Sequence, residues 1–259
     1  MGARGATVVS AFSNPTERDC FMRCTIVLVH GAFAESSSWD GVIEPLVAEG
    51  HSVVAAATPL RGLASDAQSV NDLVRTIEGP VVLVAHSYGG AVMTNVDRDA
   101  GDIVGLVYVN AFAPDPGEHC FQLAAMFPGS QLGEETVRPV PRSDGTTDFY
   151  VATDSFHDVF CQDVSASQAA RMAVTQRPAT MEALTEPSGQ RPLWNDVPSW
   201  FLIGEEDRII PPELQRFMAH RARSQRTTAI EGASHALPVS RPDAVVHPIL
   251  EAAAHRVAV

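Results

Sequence analysis

The sequence predicts an α/β protein with a mainly parallel sheet flanked by helices, and three observations carry that expectation. Short apolar runs (TIVLVH at 25–30, VVLVAH at 81–86, IVGLVYVN at 103–110, SWFLIG at 199–204) suit strands covered on both faces, which need no polar alternation. Amphipathic stretches of helical length lie between them, closed by glycine or proline. The alternation of the two calls for right-handed crossovers between parallel strands.

In order, Thr25–His30 reads as the first strand, and Ser36 to Ser38 are available to cap a helix that runs to about Glu49 and stops at Gly50. Ser52–Ala57 is the second strand. A helix opened by Ser65 follows, with Val70, Leu73, Val74 and Ile77 on one face, until Gly79-Pro80 ends it near Glu78. Val81–His86 is the third strand, Tyr88 to about Asp99 a helix, and Ile103–Asn110 the fourth strand. The rhythm breaks at Ala113 and resumes near Asp196. Within that interval a hairpin is expected around Asp144-Gly145, and Ser165 with Gln168 has capping-box spacing before a helix to about Gln176. Then come a fifth strand at Ser199–Gly204, a helix at Pro211–Arg221, a sixth strand at Thr227–Glu231 and a last helix at Pro242–Ala254. The resulting division is a tail at 1–22, a core at 23–112 and 197–259, and an inserted lid at 113–196 over the carboxyl edge of the sheet, where open α/β sheets bind ligands.

Hydrophobic residues make up 45% and charged residues 19% of the 259, which suits one core with an insertion. The net charge is −13 and every basic residue is arginine; without a basic stripe, nucleic acid is not an expected partner. Cys20, Cys24, Cys120 and Cys161 form no C-x-x-C pair, so neither a disulfide framework nor a zinc site is expected, and the thiols read as reduced in a cytoplasmic protein. No apolar run reaches the roughly 18 residues of a membrane span. Residues 1–22 read as a flexible tail rather than a signal peptide, because Asn14, Pro15, Glu17, Arg18 and Asp19 follow a short apolar stretch; Met22 is an alternative start.

The chemistry concentrates in AHSYGG at 85–90, which places Ser87 between a strand and a helix with small residues around it. The plain alternative is a turn or helix-capping serine. The nucleophile reading requires a base, because a serine hydroxyl is inert without one. His235, in the loop after the sixth strand, emerges at the same sheet edge. His86 should point away from Ser87, since strand neighbours alternate faces, and His247 and His255 in the last helix should be solvated. The base needs an orienting carboxylate. Asp207, after the fifth strand, is favoured over Glu205, Glu206 and Asp115. The amides of Ala32, after His30-Gly31, and of Tyr88 would hold a developing oxyanion, each worth on the order of 3 kcal/mol in the transition state.

These pieces (VLVHGAFAESSSW, VVLVAHSYGGAV, GEEDRIIPPELQ and GASHALPVSRPD) resemble the α/β-hydrolase superfamily. Within it they look like the group of plant methyl-ester esterases and hydroxynitrile lyases with their bacterial relatives. The order Ser87, Asp207, His235 matches the nucleophile–acid–histidine order of that superfamily, with Ala85 where G-x-S-x-G has its first glycine. The resemblance implies a lid over the pocket and no cofactor or metal. Hydroxynitrile lyases of the group are understood to use a lysine for departing cyanide; this chain has none, which disfavours that mechanism.

The expected function is therefore hydrolysis of a small, largely apolar carboxylic ester through an acyl-enzyme. Phe33, Phe112, Phe121, Met126, Phe127, Phe156 and Trp194 are the main pocket candidates, with Leu123, Phe149, Phe160 and Met172 behind them. The same triad would also serve lactone opening or cyclisation, C–C cleavage, perhydrolysis, or a slow-turnover binding protein. A small-molecule ester is the expected partner, without a membrane, and a homodimer is left open.

Overall fold

The protein is described by a computed structural model covering residues 24–255; the 1–22 tail, Cys20 and Met22 lie outside the described residues. The chain runs β1 (Thr25–Val29), a 3-10 turn (Ser36–Trp39), α1 (Asp40–Ala48), β2 (Ser52–Ala56), α2 (Leu63–Val74), β3 (Pro80–Ser87), α3 (Tyr88–Thr94) and β4 (Asp102–Ala111). Then follow α4 (Cys120–Ala124), β5 (Val137–Pro141), β6 (Thr147–Val151), α5 (Thr153–Phe160), α6 (Ala166–Thr175), β7 (Ala179–Thr180) and α7 (Met181–Thr185). The chain closes with β8 (Ser199–Gly204), α8 (Pro212–Arg221), β9 (Arg226–Ile230), α9 (Leu237–Ser240) and α10 (Pro242–His255).

The six core strands form one parallel sheet in the order β2-β1-β3-β4-β8-β9. Both faces are covered, which is why the strand sequences read as unbroken apolar runs. Val27, Val29, Leu83 and Ala85 pack on the face of α2 and α3, while Ile26, Leu28, Val82 and Val84 pack with Val42 and Leu46 of α1 and Val245 and Ile249 of α10. Each such buried Val, Leu or Ile contributes about 1.5–3 kcal/mol relative to exposure. The strand order reverses between β1 and β3, so their carboxyl ends flank the crevice where open α/β sheets bind ligands.

Residues 113–196 carry a separate three-stranded antiparallel sheet, β5-β6-β7, with α4 to α7 around it. The hairpin forms where expected, turning through Gly145 at φ +86°. Ser165 caps α6, its hydroxyl accepting from the Gln168 amide at 3.3 Å. The other expected cap fails. Ser36 to Ser38 are themselves the 3-10 turn, and the Ser38 hydroxyl donates back to the Glu35 carbonyl at 2.7 Å instead of capping α1. Helix α2 opens at Leu63 rather than at Ser65, whose hydroxyl donates to the Gly62 carbonyl at 3.0 Å. Helix α3 ends at Thr94, short of Asp99, because Asn95 spends its side chain on the Ala91 carbonyl, Ser188 and Gly189. His255 is not merely solvated: its ring lies edge-on to Trp200 at 5.3 Å.

Gly89 and Gly90 set how closely α3 approaches the sheet. A Cβ at Gly89 would stand 2.6 Å from the Val29 carbonyl and 2.7 Å from that of His30, and one at Gly90 would collide with the Phe112 carbonyl. Alanine is ordinarily better than glycine in a helix by about 1 kcal/mol. Here backbone stands in the way, so Gly89→Ala is expected to destabilise by about 2 kcal/mol, read as a lower urea midpoint at unchanged m.

Candidate active site

Strand β3 runs into α3 without a loop, and Ser87 takes the bend at φ 55°, ψ −126°. Positive φ at a non-glycine residue costs on the order of 1–3 kcal/mol and persists only where its surroundings hold it. They hold it closely here: a Cβ at Gly31 would lie 2.6 Å from Ser87 Cβ. The methyl of Ala85 at the first position of the elbow is fully buried and accommodated.

His235 follows β9 and Asp207 follows β8. The imidazole Nδ1 donates to both carboxylate oxygens, at 2.9 Å and 3.0 Å. The aspartate is further held by the amides of Ile209 and Ile210, at 2.8 Å and 2.9 Å, and by the Gln215 side-chain amide at 2.8 Å. That network fixes the carboxylate and leaves the proton of neutral His235 on Nδ1. Nε2 is then the basic nitrogen, and it is buried with no hydrogen-bond partner among the described residues. Ser87 and His235 are thus not hydrogen-bonded to each other in this structure. Asp115 is elsewhere, its own amide donating to Glu118, and Glu205 pairs with Arg216.

Ala32 and Tyr88 stand beside Ser87 on the wall of a cavity of about 280 Å³. Neither amide donates a turn or loop hydrogen bond to another described residue. Phe33, Phe112, Phe121 and Phe127 line the same cavity, as does Phe160. Three pocket candidates do not. Met126 faces outward and is 48% exposed. Phe156 is stacked behind Phe160 at 4.8 Å, one layer away. Trp194 donates its indole N–H to the Pro114 carbonyl at 3.1 Å and lies against the Arg221 guanidinium, pinning both ends of the 113–196 segment to α8. Leu123 and Phe149 are also absent from the wall, which includes the unforeseen Cys120, Leu132, Leu184 and Ile209. Met172 borders a second cavity of about 310 Å³, separated from the first by Phe33 and Phe160 and bearing Glu35, Asp40, Gln168 and Arg171.

Two positioning residues escaped the sequence reading. Asn110, fully buried at the end of β4, accepts from the Gly204 amide at 2.6 Å and donates to the carbonyls of Ser234 and His235 at 2.8 Å and 3.1 Å. It thereby ties the acid-bearing loop to the histidine loop; a polar residue closing an apolar strand was the available signal. His86, expected only to point away from Ser87, is no bystander. Its Nε2 donates to the His235 carbonyl at 2.9 Å, and the two rings lie 4.6 Å apart.

Burial pushes the His86 pKa well below the ordinary 6.5, and the neighbouring His235 adds to the effect. Burial likewise lowers His30, whose Nε2 accepts from the Thr58 amide. Both pKa values fall on folding, so below about 6.5 the unfolded chain binds more protons than the folded one. Stability is expected to be full above that pH and to fall as pH drops toward the folded values. Urea midpoints at pH 7.5 and 5.5 should show the loss, and His86→Gln should flatten it. The acid pairs respond lower. Burial raises Glu118 and Asp148, but bonds from Arg221 to the first and from Arg61 and Arg142 to the second outweigh it, so both lie below the usual carboxylate range.

Among the described residues, no group of three or more His, Cys, Asp or Glu is placed to hold a metal ion, and no helix is long and apolar enough to cross a membrane. Cys120 and Cys161 are free, buried thiols.

Residues 26–247 match the model of the Alpha/beta hydrolase family. Methylesterase 7 of Arabidopsis thaliana is 26% identical over 249 residues, covering 88% of this chain and 95% of its own length. Pyrethroid hydrolase of Sphingobium wenxiniae is 24% identical over 243 residues, covering 87% of this chain and 86% of its own length. A crystal structure of polyneuridine aldehyde esterase superposes with a TM-score of 0.74 at 18% identity, covering 88% of this chain and 98% of that one.

Proposed function

The chain belongs to the alpha/beta hydrolase family, and from that premise we propose that it is a serine esterase acting on small, largely apolar carboxylic esters. The observation that carries this reading is His235: its Nδ1 is clamped by a fixed carboxylate, and its Nε2 is buried without a hydrogen-bond partner among the described residues. Such a nitrogen takes the Ser87 proton once the hydroxyl turns toward it; unliganded sites commonly hold this bond open. Ser87 Oγ then adds to the ester carbonyl, and the amides of Ala32 and Tyr88 receive the oxyanion. Collapse expels the alcohol, protonated by His235, and leaves an acyl-Ser87. Water, deprotonated by His235, adds to that acyl carbonyl; the second collapse frees the acid and returns the proton to Ser87.

The phenylalanine-rich wall supports an apolar substrate. Segment 113–196 serves as the lid, since Phe121, Phe127, Phe160 and Leu184 reach the cavity from it and the Phe160 carbonyl accepts from the Ala236 amide at 3.1 Å. The names of the two relatives, a methylesterase and a pyrethroid hydrolase, agree with ester cleavage.

The test is labelling with a fluorophosphonate and mass mapping. Modification of Ser87, absent in Ser87→Ala and slowed at least tenfold in His235→Ala, is expected. A folded protein that stays unlabelled would remove the esterase reading.

A further inference from the structure

We propose that the buried pair Asp66–Tyr88 is a strut that sets the position of one oxyanion-hole amide, which makes Asp66 a positioning residue for catalysis. This rests on the esterase reading above, in which the Tyr88 amide meets the developing charge. Tyr88 is the first residue of α3 and its side chain is fully buried. Its hydroxyl donates to Asp66 Oδ2 at 2.7 Å. Asp66, in the first turn of α2, is itself fully buried, and its other oxygen accepts from the Arg61 amide at 3.3 Å.

The foot of the strut is anchored on the inserted segment. The Thr180 amide donates to the Leu60 carbonyl at 3.1 Å, and its hydroxyl to the Arg61 carbonyl at 2.8 Å. The Arg61 guanidinium donates to the Pro178 carbonyl at 3.0 Å and pairs with Asp148 of β6. The Ala64 amide donates to the Glu186 carboxylate at 3.1 Å. A chain of bonds therefore runs from the inserted segment through Asp66 to the residue after Ser87. The next residue, Gly89, lies close against the carbonyls of Val29 and His30, so the backbone beside Tyr88 is also confined by the end of β1. Burial raises the Tyr88 hydroxyl far above its ordinary range, with Asp66 adding to the effect, so it stays protonated and remains the donor. An amide must lie within a few tenths of an ångström of its place to stabilise an oxyanion, whereas ground-state binding of an ester tolerates more.

The test compares Tyr88→Phe, Asp66→Ala and Asp66→Asn on p-nitrophenyl butyrate, with an alkyl trifluoromethyl ketone as probe. Ser87 adds to that ketone to form a hemiketal whose oxyanion occupies the hole. Tyr88→Phe and Asp66→Ala should each lower kcat about tenfold with KM within about twofold, and raise the ketone's inhibition constant by the same factor as kcat falls. Asp66→Asn, whose oxygen can stay on the Arg61 amide while its NH₂ donates to the Tyr88 hydroxyl oxygen, keeps the link and should recover most of the loss. A purely structural bond would lower the thermal midpoint while leaving kcat and the ketone's affinity unchanged; that result, or a loss confined to KM, overturns the strut. Fluorophosphonate labelling of the wild-type protein separates the two ideas. With Ser87 labelled and the variants indistinguishable from wild type, only the strut fails; with Ser87 unlabelled, the esterase reading fails and the strut with it.

Discussion

Ser87→Ala is expected to lower kcat for a p-nitrophenyl ester by at least about 10⁴-fold while the protein stays folded, and His235→Ala to do the same. The two losses should not add, because the serine and its base act as a unit; the double variant should be no slower than either single one. Asp207→Asn is the more informative change. The wild-type carboxylate accepts from His235 Nδ1, from two backbone amides and from Gln215. An asparagine would keep its oxygen on the Ile209 and Ile210 amides, since these donors are fixed by the backbone. Its NH₂ would then face Nδ1, favouring the tautomer with the proton on Nε2. That tautomer cannot take the serine proton. A fall in kcat of about 10³–10⁴-fold is expected; because the NH₂ also replaces the oxygen that accepts from Gln215, the urea midpoint should fall by the worth of about one buried bond, about 1–3 kcal/mol. Steady-state kinetics checks both parts, and a drop below tenfold would remove Asp207 from the role assigned to it.

The fold was legible in the sequence because a strand buried on both faces leaves an unmistakable trace. VVLVA before Ser87 can hardly be anything else, and the six core strands lie within a residue or two of their expected places. The placement of Ser87, His235 and Asp207 at one edge was legible for a related reason: residues that follow parallel strands all emerge there, so sequence distance does not separate them. Direction was harder to read. Phe121 and Phe127 reach the cavity while Met126 between them faces solvent and Trp194 is tied to Pro114 and Arg221. Nothing in composition distinguishes these, since the choice is made by irregular packing across residues 113–196. Periodicity carries little information there. His86 shows the limit of the alternation rule: it says which way a ring should point but not what meets it, and here the His235 carbonyl does.

Asn110→Leu should lower both stability and kcat, the latter by roughly 10²-fold, although residue 110 is outside the proposed triad. The asparagine is wholly buried and makes three bonds, one accepted from the Gly204 amide and two donated to the carbonyls of Ser234 and His235. Leucine has the same number and branching of side-chain heavy atoms, is bulkier, and makes none of these bonds. The Gly204 amide and the Ser234 carbonyl would then be left unpaired in the interior, at about 1–3 kcal/mol each. The backbone adds to this: Asn110 sits at φ +43°, a conformation asparagine tolerates better than a bulky apolar residue. The sum is about 3–5 kcal/mol, a large share of the 5–15 kcal/mol typical of a whole domain. Catalysis should fall further than stability alone requires. Gly204 leads into the Asp207 loop and residues 234–235 carry the base, so the lost bonds release the two loops whose spacing fixes the His235–Asp207 contact. A displacement of about 1 Å is worth roughly 10²-fold in rate. Asn110→Asp separates the two effects, since a carboxylate still accepts from Gly204 but cannot donate to the two carbonyls. As the neutral acid at low pH it accepts from Gly204 and donates its one O–H to a carbonyl, so its urea midpoint should fall between those of leucine and wild type; once ionised it keeps only the Gly204 bond and should drop toward leucine. If Asn110→Leu stayed within about 1 kcal/mol and twofold in kcat of wild type, the bridge between the loops would be incidental and the histidine would be held by Asp207 and His86 alone.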